Sequence, residues 1–272
     1  MIEWLYVFAS MLFFGLVNFN RKLLTKGIGT WEAVFWESLG FWPLILFMFL
    51  TTPLSFPPNM VVLCLGSALL YAVGMFSFFR ALREGFVSAV ATVTNLNGPI
   101  GALLAFIVLS EAFSGRLLLG IVAAAGVVFL LGNSKAIKPG NWLVLSLLSA
   151  VLLASKSLVD KSLAVTYSPL FTLAVITLFS TCIYFVPFAI GKKKATLKRK
   201  AALAGNGLLL AAAAVTMFLA FSALPLSIVL PVINMNTVIT VFLGAYLLKE
   251  RLDRRALLAV VLALVSIWLV AG

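Results

Sequence analysis

The chain has no histidine and only two cysteines, Cys64 and Cys182, both inside apolar runs. That removes the usual zinc ligand sets, Cys-His and Ser-His nucleophilic sites, and any disulfide framework. Acids are scarce as well, with 8 Asp and Glu in 272 residues. Acid-base catalysis needs titratable groups held together, so neither an enzyme nor a bound metal or cofactor is expected. Charged residues of both signs reach only 10%, whereas 63% of the chain is hydrophobic. No soluble domain of this length shows that balance, so lipid must be the solvent for most of the chain.

What charge there is has one dominant sign, with 20 Lys and Arg giving a formal net charge of +12. A nucleic-acid binder would cluster that charge on one face among aromatic platforms. Here the basic residues lie mostly between apolar runs, the pattern of cytoplasmic loops and of contact with anionic lipid. The first run begins Met1-Ile2-Glu3-Trp4, without a basic leader or a small-residue cleavage site, and is read as a span rather than a signal peptide.

Apolar runs and polar breaks divide the sequence into ten candidate spans, near 3–20, 31–50, 59–80, 86–109, 116–132, 141–163, 169–190, 201–222, 227–248 and 255–271. None alternates as a barrel strand would, so the expected fold is an all-α integral membrane protein. Comparison of the chain with itself gives the strongest signal. Asn95-Leu96-Asn97 through Ser110-Glu111 reappears as Asn234-Met235-Asn236 through Lys249-Glu250, 139 positions later, and Ser10 with Ser149, Lys22 with Lys161 and Ser88 with Ser227 keep the same offset. The sequence therefore reads as two copies, residues 1–133 and 140–272, with a seam near Asn133 to Gly140. Five spans per copy is an odd number, so the second copy enters the membrane inverted and both termini lie on the same side. Inverted five-helix repeats are a recurrent transporter architecture.

The order of these features resembles the drug/metabolite transporter superfamily, specifically proteins built of two EamA-type repeats. Carrying the likeness are Phe14-Gly15-Leu16-Val17-Asn18-Phe19 with Lys22, the Ala81-Leu82 and Ala223-Leu224 span ends, Pro99 and Pro231, and Ser110-Glu111 and Lys249-Glu250 before basic turns. The resemblance implies a ten-helix exporter or exchanger of small metabolites in the cell (inner) membrane, its cavity lined by the first four helices of each half. It implies cytoplasmic termini, whereas loop charge, counting Arg21, Lys22, Arg80, Arg83 and others, puts the termini outside. Many relatives carry Arg in span 2 where this chain has Glu37, so models for anionic substrates do not transfer.

Several polar residues sit where lipid would make them costly. Ser88, Thr92, Asn95 and Pro99 share one helical stripe, as do Ser227, Pro231 and Asn234. Asn95, Asn97, Asn234 and Asn236 either line a transport pathway, with Pro99 and Pro231 as helix breaks, or join helices by hydrogen bonds. Glu37, whose counterpart is Ile176, is a candidate for coupling, because a carboxylate in an apolar cavity can load and release a proton; the alternative is an internally paired acid. Lys156, whose counterpart is Val17, could hold a substrate carboxylate or phosphate, or pair quietly with Asp160 one turn on. Asn18, Asn20, Tyr71 and Ser77 complete the expected pathway, and Glu111 and Glu250 read as structural stops.

The expected function is secondary-active transport of a small polar metabolite, an amino acid or other zwitterion, coupled to protons or by exchange, in a monomer or homodimer. Export of cationic drugs is an alternative, as is a lipid-modifying enzyme or lipid flippase. The inverted duplication makes a direct prediction. Single cysteines introduced just after Leu50 and just after Ile190 should react with impermeant thiol reagents from opposite faces of the membrane; labelling from the same face would refute it.

Overall fold

In the computed structural model the described residues are 2–52, 56–111, 115–132, 140–191, 195–249 and 254–271. Among them every regular element is helical. The proposed seam at 133–139 and Glu250 lie outside the described residues. Helices run α1 Ile2–Leu24, α2 Thr30–Thr51, α3 Pro58–Glu84, α4 Val87–Leu109, α5 Gly115–Gly132, α6 Asn141–Thr166, α7 Pro169–Ile190, α8 Leu197–Ala223, α9 Leu226–Leu247 and α10 Arg254–Ala271. Among the described residues eight of these, α1 to α4 and α6 to α9, are long and apolar enough to cross a membrane.

Polarity is turned inside out. Large apolar side chains such as Leu50, Ile107, Phe242 and Trp268 face outward, while Ser10, Asn18, Arg21, Glu37, Asn95 and Asp160 are buried. This is the distribution a bilayer imposes, because polar groups find partners only within the protein. Helix ends carry the turn chemistry visible in the sequence. Pro58 and Pro169 open α3 and α7, where a missing N–H costs nothing. At the ends of α4 and α9, Ser110 (φ 55°) and Lys249 (φ 53°) take the left-handed conformation at positions related by the 139-residue offset.

Helices early in the chain interlock with later ones. Helix α1 packs on α8, and its counterpart α6 packs on α3; α5 packs on α10, and the later part of α4 on the earlier part of α9. The lysine ends are matched too. Lys22 Nζ donates to the carbonyls of Leu82 (2.5 Å) and Gly85 (2.6 Å), and Lys161 Nζ to those of Phe221 (2.6 Å) and Leu224 (2.7 Å). Each ammonium thus neutralises the carbonyl end of a neighbouring helix, α3 for Lys22 and α8 for Lys161. Lys22, counted as loop charge, is in fact half-buried at this helix end.

Three helices are interrupted. In α2, a 3-10 turn at Leu39–Phe41 joins Thr30–Ser38 to Trp42–Thr51. There the backbone of Gly40 meets that of Gly207 on α8 so closely that a Cβ on Gly40 would overlap Gly207, and one on Gly207 would overlap the carbonyl of Glu37. The contact seats Glu37 against α8. In α4 and α9 the breaks fall at Asn95–Leu96 and Met235, splitting them into Val87–Thr94 and Asn97–Leu109, and Leu226–Asn234 and Asn236–Leu247.

The glycine contact gives a prediction with an internal control. Gly207→Ala should lower the thermal stability of the purified protein by about 1–3 kcal/mol or more. Gly205→Ala, two residues away with nothing within 4 Å of the added methyl, should be neutral, as read by size-exclusion chromatography after heating.

Candidate functional site

The broken helices meet at their breaks. Asn95 Nδ2 donates to Asn236 Oδ1 (2.8 Å) and Thr237 Oγ1 (2.7 Å), while Asn234 Nδ2 donates to Asn97 Oδ1 (2.5 Å). Asn95 and Asn234 are repeat counterparts, as are Asn97 and Asn236, so the first residue of each motif pairs with the second residue of the other. Such reciprocity is the mark of a two-fold contact. Gly98 permits the approach, since a Cβ there would lie 2.8 Å from Asn234 Nδ2 and 3.2 Å from Pro231 Cα. The prolines flank the breaks differently: Pro99 lies in the first turn of Asn97–Leu109, where its absent N–H is not needed, and Pro231 lies inside Leu226–Asn234. At the far end of this pair, the Glu111 carboxylate accepts the N–H groups of Leu226 and Ser227, both at 3.0 Å, and so caps α9.

Two buried ion pairs flank the breaks. Arg21 is 3% exposed and Glu37 is 2% exposed. Arg21 Nε lies 3.1 and 3.0 Å from the two Glu37 oxygens, Nη2 donates to Oε2 at 2.8 Å, and Nη1 donates to Asn18 Oδ1 at 3.0 Å. Asn206 Nδ2 gives Glu37 Oε1 a further bond at 2.7 Å. The guanidinium carbon lies 5.3 Å from the Phe79 ring centroid and 5.6 Å from that of Phe78. The second pair is Lys156 with Asp160, whose Oδ1 also accepts Ser67 Oγ at 2.5 Å. Lys156 Nζ stands 5.2 Å from the Tyr71 centroid and 5.7 Å from that of Phe218. Charge, hydrogen bonds and aromatic faces together replace the water each ion gave up.

Between these features is a cavity of about 100 Å³, room for a few waters or a solute of few heavy atoms. Of the residues expected from sequence, Asn18, Tyr71, Asn95, Asn97, Lys156, Asn234 and Asn236 line it. The others lie elsewhere. Asn20 donates to Asn206 Oδ1 at 3.1 Å, Ser77 turns back to the carbonyl of Val73 at 2.9 Å, and Pro99 and Pro231 pack at the breaks. Glu37 stands behind Arg21 rather than in the wall.

One residue that the sequence reading misses is Arg21. It was counted among loop charges because span 1 was ended at residue 20, but α1 continues to Leu24 and Arg21 is buried in the cavity wall. The available signal was its register: Arg21 falls three residues after Asn18 and 139 before Asp160, so both copies carry an ionisable group at one position. Asn206, which ties Asn20 to Glu37, was missed for want of any motif. The wall therefore exposes two cations, Arg21 and Lys156, and neither of their acids. The helix N-termini at Asn97 and Asn236 add partial positive charge to the same wall. The arrangement suits a solute with a carboxylate.

Residues 140–272 match the EamA-like transporter family. A crystal structure described only as that of a protein is similar over 97% of this chain and 94% of its own, with a TM-score of 0.73 at 14% identity. No curated protein matches. The likeness in structure shows a shared fold, and the family match bears out the resemblance read from sequence, placing an EamA-like domain of the drug/metabolite transporter superfamily at residues 140–272.

The Arg21–Glu37 pair yields a double-mutant test. Removing one partner strands a buried charge, so Arg21→Leu alone should cost about 3–5 kcal/mol of stability. Adding Glu37→Leu should return most of that loss, measured by thermal unfolding in detergent. Equal losses in the single and double variants would contradict pairing.

Proposed function

We propose that this chain, a membrane transporter of small molecules by its EamA-like domain, moves a small zwitterion such as an amino acid by alternating access between two inverted five-helix halves. The single observation that carries this reading is the cavity at the helix breaks, where Arg21 and Lys156 face the interior and their acids do not. Support for the halves, residues 1–133 and 140–272, comes from the reciprocal asparagine pairs, the matched lysine ends and the crossed packing of α1 on α8 and α6 on α3. On this reading α5 and α10 also span the membrane, giving ten spans in the cell membrane with both termini on one side. Rocking of one half against the other opens the cavity to each face in turn.

The two ion pairs give a route to coupling. A substrate carboxylate entering the cavity competes with Glu37 for the Arg21 fork, whose Nη1 already points toward Asn18 in the wall. A carboxylate that loses its cation in an apolar setting is stable only when protonated. Glu37 therefore takes a proton as the solute binds and returns it as the solute leaves and Arg21 is recaptured. Lys156, held by Asp160, adds a second positive point to orient the solute. Two cations in the wall weigh against cationic drugs as substrates, and the wall offers no acid-base pair for a lipid-modifying reaction.

Transport into liposomes tests the scheme. The ligand class is first identified by a thermal-shift screen of the purified protein against the common amino acids, since a bound ligand raises stability. Glu37→Gln should then abolish uptake driven by a pH gradient while leaving substrate exchange in place. Driven uptake that survives the substitution would remove Glu37 from coupling.

A further inference from the structure

Thr94 ends the half-helix Val87–Thr94 and lines the cavity at the helix breaks. It is 3% exposed, and its hydroxyl is buried without a hydrogen-bond partner. Among the described residues Trp36, Ser149 and Tyr184 share that condition, and none of them lines this cavity. Five other buried helical threonines, Thr92, Thr172, Thr177, Thr181 and Thr240, return their hydroxyl to the carbonyl four residues earlier, and Thr237 returns it to the carbonyl of Asn234. A buried hydroxyl that forgoes this bond is held for another partner. The repeat frame does not require it either, because the counterpart of Thr94 is Ile233, an apolar residue in the same cavity wall.

The local field says which partner fits. Thr94 lies at the carbonyl end of its half-helix, which carries partial negative charge, while Arg21, Lys156 and the N-terminus at Asn97 carry positive charge. A dipolar solute is therefore oriented in the cavity. We propose that the Thr94 hydroxyl is a substrate contact, accepting a hydrogen bond from the amino group of a zwitterion whose carboxylate lies against Arg21 and Lys156. The assignment rests on the transport reading above and deepens it: Thr94 would select solutes with an amino group over those with a carboxylate alone.

The test compares L-alanine with propionate, which differs by lacking the amino group, in binding to the purified full chain. Thr94→Val should weaken L-alanine by about tenfold and leave propionate within about twofold, and Thr94→Ser should bind both probes as the parent does. Equal weakening of both probes would mark a structural role, and no weakening of either would remove Thr94 from the contact; both overturn the proposal. Should the parent bind neither probe, the amino-acid reading fails by itself, and Thr94→Cys, with Cys64 and Cys182 replaced by serine, decides the rest. Reaction of that thiol with methanethiosulfonate ethylsulfonate keeps position 94 as a solute contact, and an inert thiol overturns it.

Discussion

A helix can be broken inside a bilayer only if something other than water satisfies the groups the break releases. In this protein the two broken helices supply partners to each other at the breaks: Asn95 Nδ2 reaches the carbonyl of Asn234 (3.4 Å) as well as the side chains of Asn236 and Thr237, and Asn234 Nδ2 reaches the side chain of Asn97. The bonds cross between α4 and α9, so they hold the two breaks together. The rest of the interior depends on this exchange. It fixes where the two helices cross, leaves a cavity beside the crossing and sets the half-helix ends into its wall. Hydrogen bonds between membrane helices are individually modest, about 0.6 kcal/mol on average, so the contact works by geometry more than by strength.

Around that symmetric frame the chemistry is lopsided. At one position of the first helix of each half, Arg21 stands opposite Asp160; one turn earlier, Val17 stands opposite Lys156. Each ionic residue found its counter-ion by a different route. Arg21 reaches across to α2, and Lys156 stays on its own helix with Asp160. The result is two cations in one wall from two unlike arrangements.

Much of the fold could be read from the sequence because lipid enforces a simple rule: apolar runs of span length become helices, and polar residues inside them need a reason. The 139-residue offset picked out Asn95, Asn97, Asn234 and Asn236, and all four meet at the helix breaks. Lys156 and Tyr71 were legible as polar oddities and lie together, ammonium over ring. What escaped was long-range pairing. Arg21 sits near a helix end, where loop charge and buried charge look the same in one dimension. Glu37 could be seen as out of place, but that its partner lies sixteen residues back on another helix, with Asn206 on a third, has no local signature. Nor does the Gly40–Gly207 contact that seats it.

The crossed packing of the halves also bears on how the protein is made. As the nascent chain leaves the ribosome, Arg21 and Glu37 arrive close together, so this buried charge has its neutralising partner within reach early. Asn95 and Ser67 are less fortunate. Their partners, Asn236 and Asp160, belong to segments synthesised much later, and α3 has no α6 to rest on until half the message has been translated. The bonds that close this interior therefore form only after the later helices have been synthesised.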